Sequence, residues 1–295
     1  MNFRRVVYLA LALATPLALF STSQSQTQKK PTTTAKPAAN TVIFAVNKYE
    51  GGNTSIDPVV MLSGGRFINP MAKDDEASLK AFTTKYLRVG QKYRLLFGGA
   101  ENGSVTVKER YTECICLTAG AEAQTTAKLG GEVRALATTS STLGAKQSSR
   151  RAPTPEERAA VMNLAKQAFK QNKVPAGFLA NITTHNLTAT DLDGDGKAEL
   201  IGSFQVNGYK DAPHALLLIV EPQANDFKIG LSWFAQNNDE EMRESRRYID
   251  QLDIDGDGVG EVFVESGYYE STDFTIYKKV KGVWRSVYKG GLYGI

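Results

Sequence analysis

One acidic pattern occurs twice in the C-terminal half of the chain. Residues 191–200 read DLDGDGKAEL, and residues 253–262 read DIDGDGVGEV. Each copy has carboxylates at positions 1, 3, 5 and 9, glycines at positions 4 and 6, and a strand-like run after the glutamate. Glycine permits the positive φ angles of a tightly curled backbone. The pattern therefore predicts two loops in which alternate side chains turn towards a common centre.

The carboxylates of each loop predict a bound cation. The predicted ligands are four side chains and one backbone carbonyl per loop: Asp191, Asp193, Asp195, Glu199 and the carbonyl of Lys197, then Asp253, Asp255, Asp257, Glu261 and the carbonyl of Val259. Two carboxylates about 4 Å apart repel by about 4 kcal/mol at an effective dielectric near 20. Calcium fits this many oxygen ligands better than magnesium does. Ordinary Asp-Gly turns, the alternative, do not explain why the same four acidic positions recur.

The loops differ from an EF-hand, which needs a bidentate glutamate at position 12 and flanking helices. Position 12 is Gly202 in the first loop and Val264 in the second. The pattern D-x-D-G-D-G-x-x-E followed by a strand resembles the FG-GAP and VCBS-type repeats of integrin-like β-propellers, over residues 184–290. That resemblance implies two Ca²⁺ ions, each bound between the first two strands of a blade-like unit.

The segments around the loops predict two four-stranded units. Each copy has a leading strand, the acidic loop and three further strand-like runs, the last of which carries Trp233 or Trp284. Two units are too few to close a propeller, which typically needs at least four blades. Either the N-terminal half supplies further strands, or the two units form a compact β structure of their own.

The remaining folded chain predicts a mainly β protein with minor α structure. Residues 41–139 alternate strand-like runs with a short helix at 74–87, and a hairpin at 93–111 is centred on Glu-Asn-Gly-Ser. Residues 140–153 are a polar linker. A helix follows from Thr154, with Glu157 completing a capping box, and its apolar face is expected to cap the two β units within a C-terminal domain, 154–295.

The N-terminus predicts export. Two arginines precede the apolar run Val6–Phe20, and small residues near Ser21–Ser23 suit cleavage, so residues 1–23 are interpreted as a signal peptide and 24–40 as a flexible tether. An uncleaved anchor is the alternative, but a spanning helix needs about 20 apolar residues. We expect a secreted or periplasmic protein with no stable membrane span after cleavage.

The net charge argues against a nucleic-acid-binding function, and the two cysteines give an expectation about local structure. The formal net charge is +4, and half of it leaves with the predicted signal peptide, so no nucleic-acid partner is expected. Cys114 and Cys116 are predicted to be small buried side chains, with a strained local disulfide or a weak metal site as the alternatives.

No catalytic constellation is evident in the sequence. His185 and His214 lie outside metalloprotease motifs, and G-x-S-x-G is absent. Two of Glu265, Glu270 and Asp273 could act together as catalytic carboxylates, but so could many other acidic surface residues. The sequence favours a binding or scaffold module for a protein or glycan at the cell surface. An exported hydrolase with structural calcium and a domain completed by a partner chain are the alternatives.

Overall fold

A computed structural model describes residues 40–294, apart from 72, 74, 112–118, 128–131, 207–212, 225 and 238–242. The predicted signal peptide, nearly all of the tether and both cysteines, Cys114 and Cys116, lie outside the described residues. The fold is mainly β with few helices, as the sequence predicts.

The N-terminal half is a six-stranded barrel. Its elements are β1 (Thr41–Lys48), β2 (Thr54–Ser63), β3 (Arg66–Ile68), α1 (Glu76–Tyr86), β4 (Lys92–Phe97), β5 (Ala100–Arg110), β6 (Ala121–Thr125) and β7 (Val133–Thr138). The strand order is β1-β7-β4-β5-β6-β2, and β2 pairs again with β1, which closes the sheet. The short β3 pairs with the outer end of β2. All pairings in the barrel are antiparallel, and β1 is buried along nearly its whole length.

The hairpin formed by β4 and β5 turns at a different place from the predicted one. The turn is Gly98-Gly99, where both residues have positive φ (62° and 71°), a conformation that glycine adopts without strain. The Asn-Gly pair that suggested a turn lies inside β5 instead. Gly103 has φ 93°, and the register shifts between Arg94 and Leu96. The Asn-Gly signal therefore marks a bulge in the strand.

The helix α2 (Pro155–Gln171) begins where the sequence predicts. The Thr154 side chain accepts a hydrogen bond from the Glu157 N–H, and the Glu157 carboxylate accepts one from the Thr154 N–H. Arg151 pairs with the same carboxylate at 2.7 Å. A 3-10 helix (Ala176–Asn181) then leads into the next sheet.

The C-terminal half contains the two predicted four-stranded units. The first unit consists of β8 (Thr183–Thr190), β9 (Glu199–Val206), β10 (His214–Gln223) and β11 (Asp226–Ala235). The second unit consists of β12 (Ser245–Leu252), β13 (Glu261–Gly267), β14 (Ser271–Val280) and β15 (Val283–Gly294). Each is an antiparallel sheet in which sequential strands are neighbours. Within the described residues, the N-terminal half adds a barrel and no further blade-like unit.

The helix, the two units and the barrel stack as four layers. Successive side chains of a strand point to opposite faces. On one face of the first unit, Phe204 shares a core cluster with Phe169 of α2. On the other face, Ile201 shares a cluster with Val264 of the second unit. The far face of the second unit carries Phe263, which belongs to the core of the barrel. The apolar core is therefore continuous across the predicted linker.

A buried carboxylate fastens the barrel to the second unit. Asp250 of β12 is fully buried and accepts two hydrogen bonds from the Gly98 N–H, at 3.0 and 2.8 Å. Arg150, from the segment between the halves, lies 3.5 Å from the same carboxylate. Burial raises the pKa of Asp250 to about 6, although Arg150 and the Gly98 N–H favour its charged form.

This pKa predicts how the junction responds to pH. The folded pKa lies above the unfolded value, so the contribution of Asp250 is fully present below about pH 4 and is lost as the pH rises through 6. Urea unfolding from pH 4 to pH 7 should show wild type losing about 2 kcal/mol relative to Asp250→Asn. Asp226→Asn, at an exposed position, is the control. A difference that stays constant with pH would contradict this assignment.

Candidate metal centres

The first acidic loop connects β8 to β9 and is organised by its two end carboxylates. Asp191 accepts hydrogen bonds from the N–H groups of Gly194 and Gly196, at 2.8 and 3.0 Å. Glu199, which begins β9, accepts one from the Leu192 N–H at 2.8 Å. These bonds curl the backbone around its own acidic side chains.

The second loop connects β12 to β13 and repeats this pattern position for position. Asp253 accepts hydrogen bonds from Gly256 and Gly258, at 2.8 and 3.1 Å. Glu261 accepts one from the Ile254 N–H at 2.8 Å. Two segments of different sequence thus adopt the same local fold, because the residues that form these bonds are the ones they share.

The fifth position closes each curl. Asp195 accepts a hydrogen bond from the Lys197 N–H at 2.8 Å, and Asp257 accepts one from the Val259 N–H at 3.0 Å. Lys197 and Val259 are therefore held through their backbone N–H groups. This agrees with the sequence, in which the side chain at this position differs between the two loops. The role of their carbonyls as ligands stays a prediction.

The loops bring two groups of carboxylates together. Oxygen atoms of Asp191, Asp193 and Asp195 lie within 4.8 Å of one another. In the second loop the group consists of Asp253, Asp255 and Glu261. Either group can hold a metal ion. Two predicted ligands, Glu199 and Asp257, lie outside these groups and hydrogen-bond to the loop backbone.

The glutamates at position 9, Glu199 and Glu261, are buried, and burial disfavours their charged form. Burial, together with the neighbouring Asp193, raises the pKa of Glu199 to about 7. Burial likewise raises the pKa of Glu261 to about 7, with Asp255 adding to the effect and Lys278 opposing it. A positive charge next to these carboxylates would relieve that cost.

A lysine supplies such a charge to the second loop. The sequence did not predict this contact. The Lys278 ammonium on β14 donates to Asp255, Asp257 and Glu261 at 2.7 Å each. Burial opposes its charge, but these hydrogen bonds outweigh burial and raise its pKa above the ordinary value. The only sequence signal is the pair Lys278-Lys279, which follows the run Phe274–Tyr277 near the end of β14.

Among the described residues, no ammonium group occupies the equivalent place in the first loop. Lys279 lies 4.0 Å from Asp193 and pairs more closely with Glu221 of β10, at 2.9 Å. Successive residues of β14 point to opposite faces, so neighbouring lysines reach different loops. The two centres are therefore alike in backbone and unlike in charge.

The two loops also touch each other. The Gly260 N–H donates to the Leu192 carbonyl at 2.7 Å. A cavity of about 280 Å³ lies between them and the barrel turn, with Asp191, Asp253 and Gly99 in its wall. A cation in either loop would thus lie close to where the units meet the barrel.

The other titratable residues considered from the sequence lie elsewhere. His185 contacts Gln205, and His214 packs 6.0 Å from the Phe234 ring. Glu265 lies 3.5 Å from Arg134, and Asp273 lies 3.1 Å from Lys289. Each of these two carboxylates already has a cationic partner, and nothing in the described contacts joins them as a catalytic pair.

No family model, curated protein or solved structure matches the chain. Among the described residues, no helix is both long and apolar enough to cross a membrane. The function must therefore be argued from the geometry of the loops and their surroundings.

The contacts of Lys278 predict that this side chain and a metal ion compete for the second loop. Without calcium, Lys278→Gln should lower the free energy of unfolding by roughly 2 kcal/mol, because charged hydrogen bonds are lost. Millimolar Ca²⁺ should reduce that deficit, since the ion replaces the ammonium. Urea unfolding in chelator and in calcium measures both effects. Lys166→Gln, exposed on α2, is the control, and a deficit that calcium leaves unchanged would contradict the competition.

The glycines at position 6 predict a strain effect that is independent of any ion. Gly196 has φ 86°, and a Cβ atom there would meet no other atom within 4 Å. Gly196→Ala should therefore cost about 1–2 kcal/mol through backbone conformation alone. Gly177→Ala is the matched control, because that position is equally open and lacks a positive φ. Equal stabilities of the two variants in chelator would show that the curl is not under this constraint.

Proposed function

We propose that this chain is an exported calcium-binding β-repeat protein that acts as a binding or scaffold module for a protein or glycan at the cell surface. The observation that carries the proposal is that two separate loops share the same acidic positions and the same backbone hydrogen bonds to the first carboxylate. Chance polar turns would share neither the acidic positions nor the bonds.

The choice of calcium is supported by ligand chemistry. Calcium binds six to eight oxygen atoms in flexible geometry, whereas magnesium requires a nearly ideal octahedron. Each loop offers several carboxylates in an irregular curl, and neither cluster of three acidic residues includes a cysteine or histidine. The FG-GAP and VCBS-like pattern, D-x-D-G-D-G-x-x-E before a strand, supports the same ion and the blade-like character of the units.

The position of the loops supports a structural role for the ions. Each loop joins the first two strands of its unit, and the loops contact each other. Extracellular calcium sites bind with dissociation constants of about 0.1–1 mM, which corresponds to about 4 to 5.5 kcal/mol per site. Such energies are comparable with the stability of a whole domain. Calcium would hold the units in register and leave their outer surfaces for a partner.

Calcium binding is tested by thermal unfolding of the mature protein. Calcium at about 100 times its dissociation constant should stabilise each occupied site by about 2.7 kcal/mol. The double variant Asp193→Asn with Asp255→Asn should lose this gain, and magnesium should not reproduce it in wild type. The control is Asp226→Asn, which changes an exposed aspartate on β11. A double variant with the full calcium response would contradict the ligand assignment.

A further inference from the structure

A second polar cavity lies away from the acidic loops. It has a volume of about 290 Å³ and is bordered by β7, the segment before α2, β8 and β12. None of the ten predicted cation ligands lines it. Three arginines do: Arg134 from the barrel, Arg150 from the connecting segment and Arg247 from the second unit. We call it the arginine cavity.

Arg247 is the least neutralised of the three. Its backbone pairs with Glu265 in the β12–β13 ladder, but among the described residues its side chain makes neither an ion pair nor a hydrogen bond, although it is only partly exposed. Arg134 has two carboxylate neighbours, Glu132 at 3.1 Å and Glu265 at 3.5 Å. The half-buried guanidinium of Arg247 can therefore bond to a ligand in the cavity, whose wall also carries the carboxylate of Glu132.

Two buried polar atoms in the wall also have no hydrogen-bond partner among the described residues. They are the donor Nε of Arg134 and the acceptor Oδ1 of Asn186. The other end of Asn186 is fixed, because its Nδ2 donates to the Tyr248 carbonyl at 3.0 Å. Buried polar groups without partners are rare and costly. They indicate a bound group that carries both an acceptor and a donor.

The wall is preorganised by Arg150. Its guanidinium lies over the rings of Phe97 and Tyr248, at 4.5 and 4.9 Å, and donates to the carbonyls of Arg134 and Ile249. This network fixes the positive charge of Arg150 beside the cavity. A ligand therefore meets a guanidinium that is already ordered, although Asp250 lies 3.5 Å from it and offsets part of its charge.

We propose that the arginine cavity binds a small hydroxylated carboxylic acid of the sugar-acid class, with the carboxylate on Arg247 and Arg134 and a hydroxyl group donating to Asn186. The planar guanidinium matches a carboxylate with paired hydrogen bonds. The volume suits a single sugar ring rather than a large ligand. This inference rests on the proposed binding role and assigns it a ligand chemistry.

The test uses galacturonate as the probe, with galactose and inorganic phosphate for comparison. Binding to the calcium-loaded mature protein is followed by NMR through the ring of His185, which lines the cavity, while His214 on β10 is the internal reference. Galacturonate should shift His185 saturably, and galactose should bind at least roughly tenfold more weakly because it lacks the charge. Phosphate that binds as tightly as galacturonate would overturn the sugar-acid assignment.

Variants test whether binding depends on Arg247 itself or on the overall charge of the protein. Arg247→Gln should weaken galacturonate binding roughly tenfold or more, which is the effect of one lost charged hydrogen bond. Arg247→Lys keeps the charge and should recover only part of the affinity. Arg285→Gln, exposed on β15, should bind as wild type does. Equal affinity in wild type and Arg247→Gln, or no saturable shift in wild type, would overturn the inference.

Failure of galacturonate binding can be distinguished from failure of the calcium proposal. Arg247→Gln should keep the full thermal response to calcium, which also verifies its folding. A protein that responds to calcium but binds no galacturonate would overturn the ligand assignment alone. Loss of the calcium response with retained galacturonate binding would overturn only the calcium proposal.

Discussion

Like charges crowded into a short loop need a positive charge nearby, and this constraint shapes the C-terminal half. Each acidic loop curls because its end carboxylates bind its own backbone N–H groups. The curl gathers the remaining carboxylates, whose repulsion then favours a bound cation. In the second loop the ammonium of Lys278 lies against the carboxylates, whereas the nearest ammonium to the first loop among the described contacts is that of Lys279, 4.0 Å from Asp193.

The loops matter for the whole fold because they lie where the layers meet. The first two strands of each unit emerge from a loop, and one face of each unit is buried against the other. Asp250, three residues before the second loop, binds the barrel turn at Gly98. A cation in either loop would therefore stabilise the contact between sheets as well as the loop itself.

Local sequence signals predicted much of this structure. The capping box of α2, the eight strands of the two units and the clustering of carboxylates follow from patterns within a few residues. Short-range hydrogen bonds and alternating burial determine these features, so they can be read along the chain.

The features that sequence reasoning missed depend on distant segments. Barrel closure pairs β1 with both β2 and β7, and nothing local in β1 specifies two partners. Lys278 reaches the second loop across a sheet, and the arginine cavity joins residues from four elements. The hairpin turn was misplaced for a different reason. Gly98-Gly99 and Asn102-Gly103 both permit positive φ, and only the strand register decides between them.

The most direct test of the central claim, that both loops are cation sites, is an anomalous difference map from crystals grown with Ca²⁺. The account predicts a peak inside each loop, about 2.3–2.6 Å from the carboxylate oxygens, with the Lys278 ammonium displaced from the second. Loops without anomalous peaks, with Lys278 still bonded to Asp255, Asp257 and Glu261, would contradict it.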